Sequence, residues 1–533
     1  MRTVSSFGGR VLILAAIGDL VLGTLPLNPI DTGFALEWGR ELAHGRLPDV
    51  QDLGASTPHP LSIASGLIAS LTGPHALDVM EALVLLAASG VVLILIDIGR
   101  AVRLPLIGLA AVCVMLANGE FLFSAVALAT PADIPALAAV MGALVLELRR
   151  PRRGYAPLCL LAVAGLWRPE VWLLSGAYAA YCAPAFARGP RRWLAALAVI
   201  GPVVWLLSDL ALTGDPLYSL TYTRWAAAVA ARPRGIGEVP SVLWSTLTEY
   251  FGTPVLVAAC LGVLIDLHSG LLPRVLSVWC AFTLVAFSVI GATSLPVVGR
   301  YALPTVVATA LYAGFFLGGW SRVPRGWARR VWQLGAAGCA ALILSGAPAG
   351  LEQLSTEQRH LNELGRLDRD LTAVVGSRAM RNLVSTCQPL QTSYQIVPLL
   401  AFDLDTSTRS VVRVNTGIPD GGIVVQPAHA QSLFDAQQAT PEAFLRRGFA
   451  MIAGSRDWLA FARCSPRGTR ASSFSLAVTR HRNRLFDSWS PTESLDSASE
   501  SRLRVAVRSL RRLMHRLESP PSGLPSNGIH EIL

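Results

Sequence analysis

The sequence has no lysine, so all 45 of its Lys-plus-Arg positions are arginine. It is also poor in charge of either sign. Charged residues make up 15% of the 533, against roughly 25% in a soluble domain. With 52% hydrophobic residues and a mean hydropathy of +0.48, that shortage excludes an ordinary soluble enzyme and points to lipid. No Walker-type loop and no dinucleotide fingerprint occurs. His44 and His59 are candidate metal ligands, yet no tight His/acid spacing marks a dedicated zinc site. The formal net charge of +10 does not require a nucleic-acid partner, because arginine in loops flanking membrane helices accounts for such a surplus.

What the chain has in quantity is apolar length. Spans are expected at 11–27, 78–98, 105–128, 132–148, 155–167, 170–186, 194–212, 246–265, 272–292, 299–319 and 331–349. That makes about eleven, each judged against the roughly 20 residues that cross a bilayer core. The first has a basic start but no small-x-small cleavage site before a polar mature domain, so it reads as a retained signal anchor. With the N-terminus cytoplasmic, the inner loops hold Arg2, Arg10, Arg100, Arg103, Arg149, Arg150, Arg152, Arg153, Arg188, Arg191, Arg192, Arg274, Arg322, Arg325, Arg329 and Arg330. The outer loops before the last helix hold fewer: Arg40, Arg46, Arg168, Arg224, Arg232, Arg234 and Arg300. This bias sets the direction. It makes the protein a multi-pass cell-membrane protein with 28–77 as its first outer loop and everything after about residue 350 outside.

Beyond the spans the pattern changes. Residues 351–375 alternate charge with leucine at helical spacing. PLLAFDL (398–404), SVVRVN (410–415) and GGIVVQP (421–427) look like strands, so 351–465 is expected to be a small extracytoplasmic α/β domain. Cys387 and Cys464 bracket it. In an oxidising compartment they are expected to pair, the alternative being two separate thiols. Residues 466–533 are rich in Ser, Arg and Pro and read as largely disordered, with an amphipathic surface helix expected at 501–519.

The densest acidic stretch lies between the first two hydrophobic segments: NPIDTGFALEWGRELAHGRLPDVQDLGASTPHPL, residues 28–61. Polar loops are common, and an acid in one carries no function by itself. A carboxylate at the membrane surface, however, is partly desolvated and suited to proton abstraction. The order also matters: Asp31, a helical stretch with Phe34 and Trp38, Gly45-Arg46-Leu47-Pro48, Asp52, then Pro58-His59-Pro60. This order resembles the first outer loop of the GT-C superfamily, polytopic glycosyltransferases that use polyprenyl-phosphate sugars and include protein O-mannosyltransferases and aminoarabinose transferases. There an acid follows helix 1, and a Gly-x-x-Pro-Tyr-x-Asp turn and a Pro-Pro element come later. Here Asp49 replaces the tyrosine and Pro58-His59-Pro60 replaces Pro-Pro.

The resemblance covers residues 1 to about 350. It implies Asp31 as general base, with Asp52 as a second catalytic candidate. It implies a second acid at Asp133, with Glu120 as a competitor. Val298-Gly299-Arg300-Tyr301-Ala302-Leu303-Pro304 resembles a late Arg-Tyr-x-x-Pro element. Arg300 is therefore expected to bind the donor phosphate, together with Arg168 of Leu166-Trp167-Arg168-Pro169-Glu170. Each arginine could equally snorkel at the interface, and Asp133 could simply favour a helix start.

The expected fold is thus a mainly α-helical polytopic membrane protein, GT-C-like, with a small C-terminal α/β domain. The expected activity is inverting transfer of a sugar from a polyprenyl-phosphate donor to an envelope glycan, lipid or protein. A divalent metal held by Asp133 or Glu120 and metal-free transfer both stay open. A transporter or flippase of lipid-linked intermediates and a non-catalytic scaffold are the competing classes.

Overall fold

A computed structural model describes residues 10–12, 14–15, 29–51, 55–116, 132–393, 395–413, 418–429 and 439–464. Asp52, Glu120, most of the expected first span and the tail with its 501–519 helix lie outside the described residues. The chain forms two compact units. One takes in 1–376 and 395–411, the other 377–394 and 412–533.

The first unit is helical. Among the described residues, five helical stretches are long and apolar enough to cross a membrane: Ala76–Ala101, Arg188–Thr213, Ile236–Ser269, Arg274–Ala292 and Gly299–Arg322. We label the helices α1 (Pro29–Ala43), α2 (Pro60–Ser70), α3 (Ala76–Ala101), α4 (Leu106–Leu116), α5 (Asp133–Arg149), α6 (Tyr155–Trp167), α7 (Val171–Cys182) and α8 (Arg188–Thr213). They continue with α9 (Tyr218–Val229), α10 (Val239–Ser269), α11 (Arg274–Ala292), α12 (Leu303–Gly318), α13 (Trp327–Ser345), α14 (Ala347–Val375), α15 (Arg378–Val384), α16 (Val397–Asp403) and α17 (Pro441–Arg446). A helix such as α6, with 13 residues, reaches only about 20 Å, short of a hydrocarbon core roughly 30 Å thick.

At the centre lies α12, which carries no acid or base and buries nearly every residue. A helix apolar all round belongs inside a bundle, and its neighbours reach it through glycine. A Cβ on Gly108 of α4 would stand 2.4 Å from the Gly314 carbonyl oxygen, and one on Gly262 of α10 would stand 2.2 Å from that of Tyr312. By contrast α8 exposes Val199, Val203, Leu207 and Leu210, an apolar surface suited to lipid. The span of α10 is broken at Gly252 (φ 71°) ahead of Pro254, a glycine-proline kink.

Three acids within the long helices have structural partners. Asp209 accepts from the Ser219 N–H (2.9 Å) and hydroxyl (2.7 Å) at the start of α9. Asp266 accepts from the Leu272 N–H at 2.7 Å. Asp97 pairs with Arg149 at 2.8 Å.

The stretch 29–43 forms a helix, as its spacing predicts, but one buried from Thr32 to Glu41. Phe34 and Trp38 pack with Val50, Ala55 and Ile63. Beside them α1 crosses α2 so closely that a Cβ on Gly66 would lie 1.8 Å from the Ala35 oxygen. Gly66→Ala should therefore force the two helices apart, at about 1–3 kcal/mol or more. A thermal unfolding midpoint unchanged in detergent would refute that crossing.

One expectation is corrected here. PLLAFDL (398–404) is helix α16, not strand. Pro398 takes the first turn, where its missing N–H costs nothing, and a short apolar run does not by itself separate buried strand from buried helix. Packing of the helical unit continues past residue 350. Leu367, Leu371, Val374 and Val375 of α14 are buried and α14 packs on α16, so 351–376 belong to the first unit.

Arg40 explains why 395–411 do so too. Its guanidinium donates to the carbonyls of Ala401 (3.2 Å), Phe402 (2.9 Å) and Thr406 (2.6 Å), holding the carboxyl end of α16 against α1. Glu37 lies 2.6 Å from the same guanidinium and is fully buried. Burial outweighs the pull of Arg40 and pushes the Glu37 carboxyl up to about 7. A carboxyl raised in the fold contributes stability that is fully present below its unfolded value, near 4.5, and is lost as pH rises through about 7. The melting temperature should fall over that window and fall less in Glu37→Gln. Parallel pH profiles for the two proteins would overturn the assignment.

The second unit holds a five-stranded sheet of order β2-β1-β3-β5-β4, with β1 Leu390–Thr392, β2 Val411–Arg413, β3 Gly422–Pro427, β4 Ala450–Gly454 and β5 Trp458–Arg463. β1 and β3 run parallel, while β5 runs antiparallel to β3 with Val424 opposite Phe461. Every residue of β3 is buried. Phe444 stacks on Phe461 at 4.9 Å. Cys387 and Cys464 form a disulfide.

Candidate functional site

Asp31 sits in the first turn of α1, where the helix dipole favours an acid. It accepts a short hydrogen bond from the Ser56 hydroxyl and a bond from Arg300 Nη1 at 3.3 Å. Arg300 comes from the turn that opens α12. Gly299 lets that turn pass, because a Cβ there would stand 2.6 Å from Thr246 Oγ1. Burial alone would raise the Asp31 carboxyl. Arg300, the Ser56 bond, His59 and Arg168 overcome it and hold Asp31 below the ordinary aspartate value.

Arg168 follows α6 and is buried. It forms an ion pair with Asp133 in the first turn of α5, and its guanidinium lies 5.0 Å from the centre of the Tyr301 ring, within cation–π range. Asp133 is therefore the partner of Arg168. The two arginines meet around one tyrosine, since the Arg300 guanidinium lies 5.7 Å from the same ring.

A cleft opens on this group. Asp133, Arg168, Glu170, Arg300 and Tyr301 form its polar wall, and Leu137, Val140, Leu174, Ala286, Phe287 and Leu303 line an apolar part. Burial, opposed by Arg168, raises the Glu170 carboxyl.

His59 precedes α2, with its ring edge-on to Trp205 at 5.2 Å. Its Nδ1 is buried and has no hydrogen-bond partner among the described residues. Burial first, then Arg168 and Arg300, push the imidazole down to about 3 against the opposing pull of Asp31, so it is neutral at physiological pH.

Four of the expected site residues thus come together: Asp31, Arg300, Arg168 and Asp133. Asp52 and Glu120 lie outside the described residues. Ser56 has no sequence signal beyond its place in a polar loop. Tyr301 and His59 stand in the motifs quoted above, but nothing local tells that one ring serves two guanidiniums. Asp49, at the family's tyrosine position, pairs with Arg409 and so ties the loop to the segment after α16. Among the described residues no three His, Cys, Asp or Glu side chains are grouped to hold a metal ion. Asp133 pairs with Arg168, and no step below uses a metal.

No protein-family model matches the chain, and no curated protein matches it.

Proposed function

We propose that this protein is a membrane glycosyltransferase of the GT-C type, moving a sugar from a polyprenyl-phosphate donor to an acceptor hydroxyl on the extracytoplasmic side. The observation that supports it most is the bond between Asp31 and Arg300, one acid and one base from opposite ends of the helical unit, beside a cleft that joins a charged wall to an apolar one. The charged side chains of that lining suit an anionic head and the apolar ones a lipid chain. In this scheme the donor phosphate takes Arg300 and Arg168, because guanidinium meets phosphate with paired bonds. Asp31, released from Arg300, becomes more basic and removes the acceptor proton. The acceptor oxygen attacks the anomeric carbon. The bond from that carbon to the phosphate oxygen breaks, its electron pair leaves on the lipid phosphate, and the arginines offset the charge. One displacement inverts the anomeric centre.

A transporter would carry uncommitted ionisable groups at mid-membrane depth. Asp209, Asp266 and Asp97 are instead taken up by helix starts, turns and an arginine, which favours chemistry over transport.

The test is transfer by the purified full chain from a panel of polyprenyl-phosphate sugars, alongside retention of farnesyl phosphate as a donor probe. Arg300→Gln should weaken farnesyl phosphate retention at least about ten-fold, as loss of a charge-assisted bond predicts. If wild-type protein neither transfers from the panel nor retains farnesyl phosphate, the proposal fails.

A further inference from the structure

The two arginines of the cleft are each matched to an aspartate, Arg168 to Asp133 and Arg300 to Asp31. Those four charges cancel. Glu170 is the carboxyl left over on the same wall. Among the described residues it has no ion pair of its own, since both guanidiniums are taken up by the aspartates. Nor does its side chain cap α7, the helix it precedes. What it meets is its own backbone N–H and, through space, the field of Arg168 and Arg300. The other groups facing it are Asp133 of α5 and Tyr301 ahead of α12, while α11 brings only the uncharged Thr283, Ala286 and Phe287. A fifth charge of negative sign on this wall would oppose the phosphate that the guanidiniums are proposed to take. Burial favours the neutral form of Glu170, and a neutral carboxyl is a hydrogen-bond donor. The wall thus offers a phosphate two cations and one proton.

We infer that Glu170 is the general acid of the transfer, giving its proton to the phosphate oxygen as that oxygen leaves the anomeric carbon. This rests on the glycosyltransferase proposal, and the two can fail separately. In the step, the acceptor oxygen bonds to the anomeric carbon and its proton passes to Asp31. The bond from that carbon to the phosphate oxygen breaks, and its electron pair stays on the oxygen, which takes the proton of Glu170. The lipid phosphate leaves as a monoanion rather than a dianion. Glu170 is then negative beside it, and the repulsion favours release of the spent carrier. Water takes the proton from Asp31 and returns one to Glu170, so the cycle closes. Asp31 and Glu170 have different surroundings for these opposite tasks: an arginine in contact for the base, burial without a contact for the acid.

The experiment compares wild type, Glu170→Gln and Glu170→Asp as full chains in nanodiscs. Farnesyl phosphate carries the same phosphate monoester as the spent carrier, and its retention is measured from about pH 5 to about pH 9. Dividing the Glu170→Gln retention by that of wild type removes the probe's own ionisation. The ratio should stay close to unity in acid and rise at least about ten-fold in base, where only wild type carries the extra negative charge. Glu170→Asp should follow wild type. On any donor of the panel that wild type uses, Glu170→Gln should lower kcat by about 10² and remove its alkaline limb. A ratio that does not change with pH, or a Glu170→Gln rate equal to wild type, overturns the general acid and leaves the donor site standing. If wild type neither retains farnesyl phosphate at any pH nor transfers from the panel, the glycosyltransferase proposal falls, and this inference with it.

Discussion

Asp31→Asn should lower the rate of sugar transfer by about 10²–10⁴, the usual contribution of a positioned general base. Asparagine keeps the shape, and its one amide oxygen can still accept from Arg300 while its NH2 donates to the Ser56 hydroxyl oxygen, so the helix start and the loop at 55–59 should survive. What it loses is the negative charge and the ability to take a proton. The loss should fall on kcat, with farnesyl phosphate retention equal to wild type or tighter, because Arg300 no longer has to leave a carboxylate to meet phosphate. Depressed as it is by Arg300, Asp31 is ionised throughout the neutral range in the free enzyme, so kcat/KM should show no protonation limb there from this group. Transfer rates equal in wild type and a folded Asp31→Asn protein would move the base elsewhere.

Arg40→Ala should have the largest effect on stability, about 3–5 kcal/mol, the cost of stranding one member of a buried charged pair. Three carbonyls at and after the carboxyl end of α16 would lose the guanidinium, and Glu37 would stay in the interior without it. The remaining carboxyl would then be neutral up to higher pH, so the deficit should be greatest above neutrality and smaller in acid. Arg40→Lys should recover only part of it. A single ammonium cannot reach three carbonyls and a carboxylate in the fixed fork of a guanidinium. The measurement is the thermal midpoint in detergent at several pH values. A change within the scatter of surface substitutions would mean that the Arg40 anchor does not hold α16.

Some features were legible locally because their cause is local. The apolar length of Ala76–Ala101 or Arg274–Ala292 marks a possible span without any neighbour, and Asp133 and Asp31 announce helix starts through the dipole. The run GGIVVQP reads as strand and is one. PLLAFDL has the same greasy look and is a helix, because burial on every side erases the periodicity that would separate the two. The short strands β1, β4 and β5 escaped notice for a related reason: their neighbours in the sheet, not their composition, make them strands.

By itself, then, the sequence determined a helix-rich chain with membrane-length apolar segments and a different C-terminal part, because composition and period act within a dozen residues. Only the tertiary structure decided that Asp31 meets Arg300 across 269 positions, that Asp133 belongs to Arg168, and that Arg40 draws 395–411 back into the helical unit. Those partnerships depend on which helices can approach, and that is set by glycine crossings such as Gly39 with Gly66 and Gly108 with Gly314. A contact between distant residues leaves no mark on the spacing around either of them.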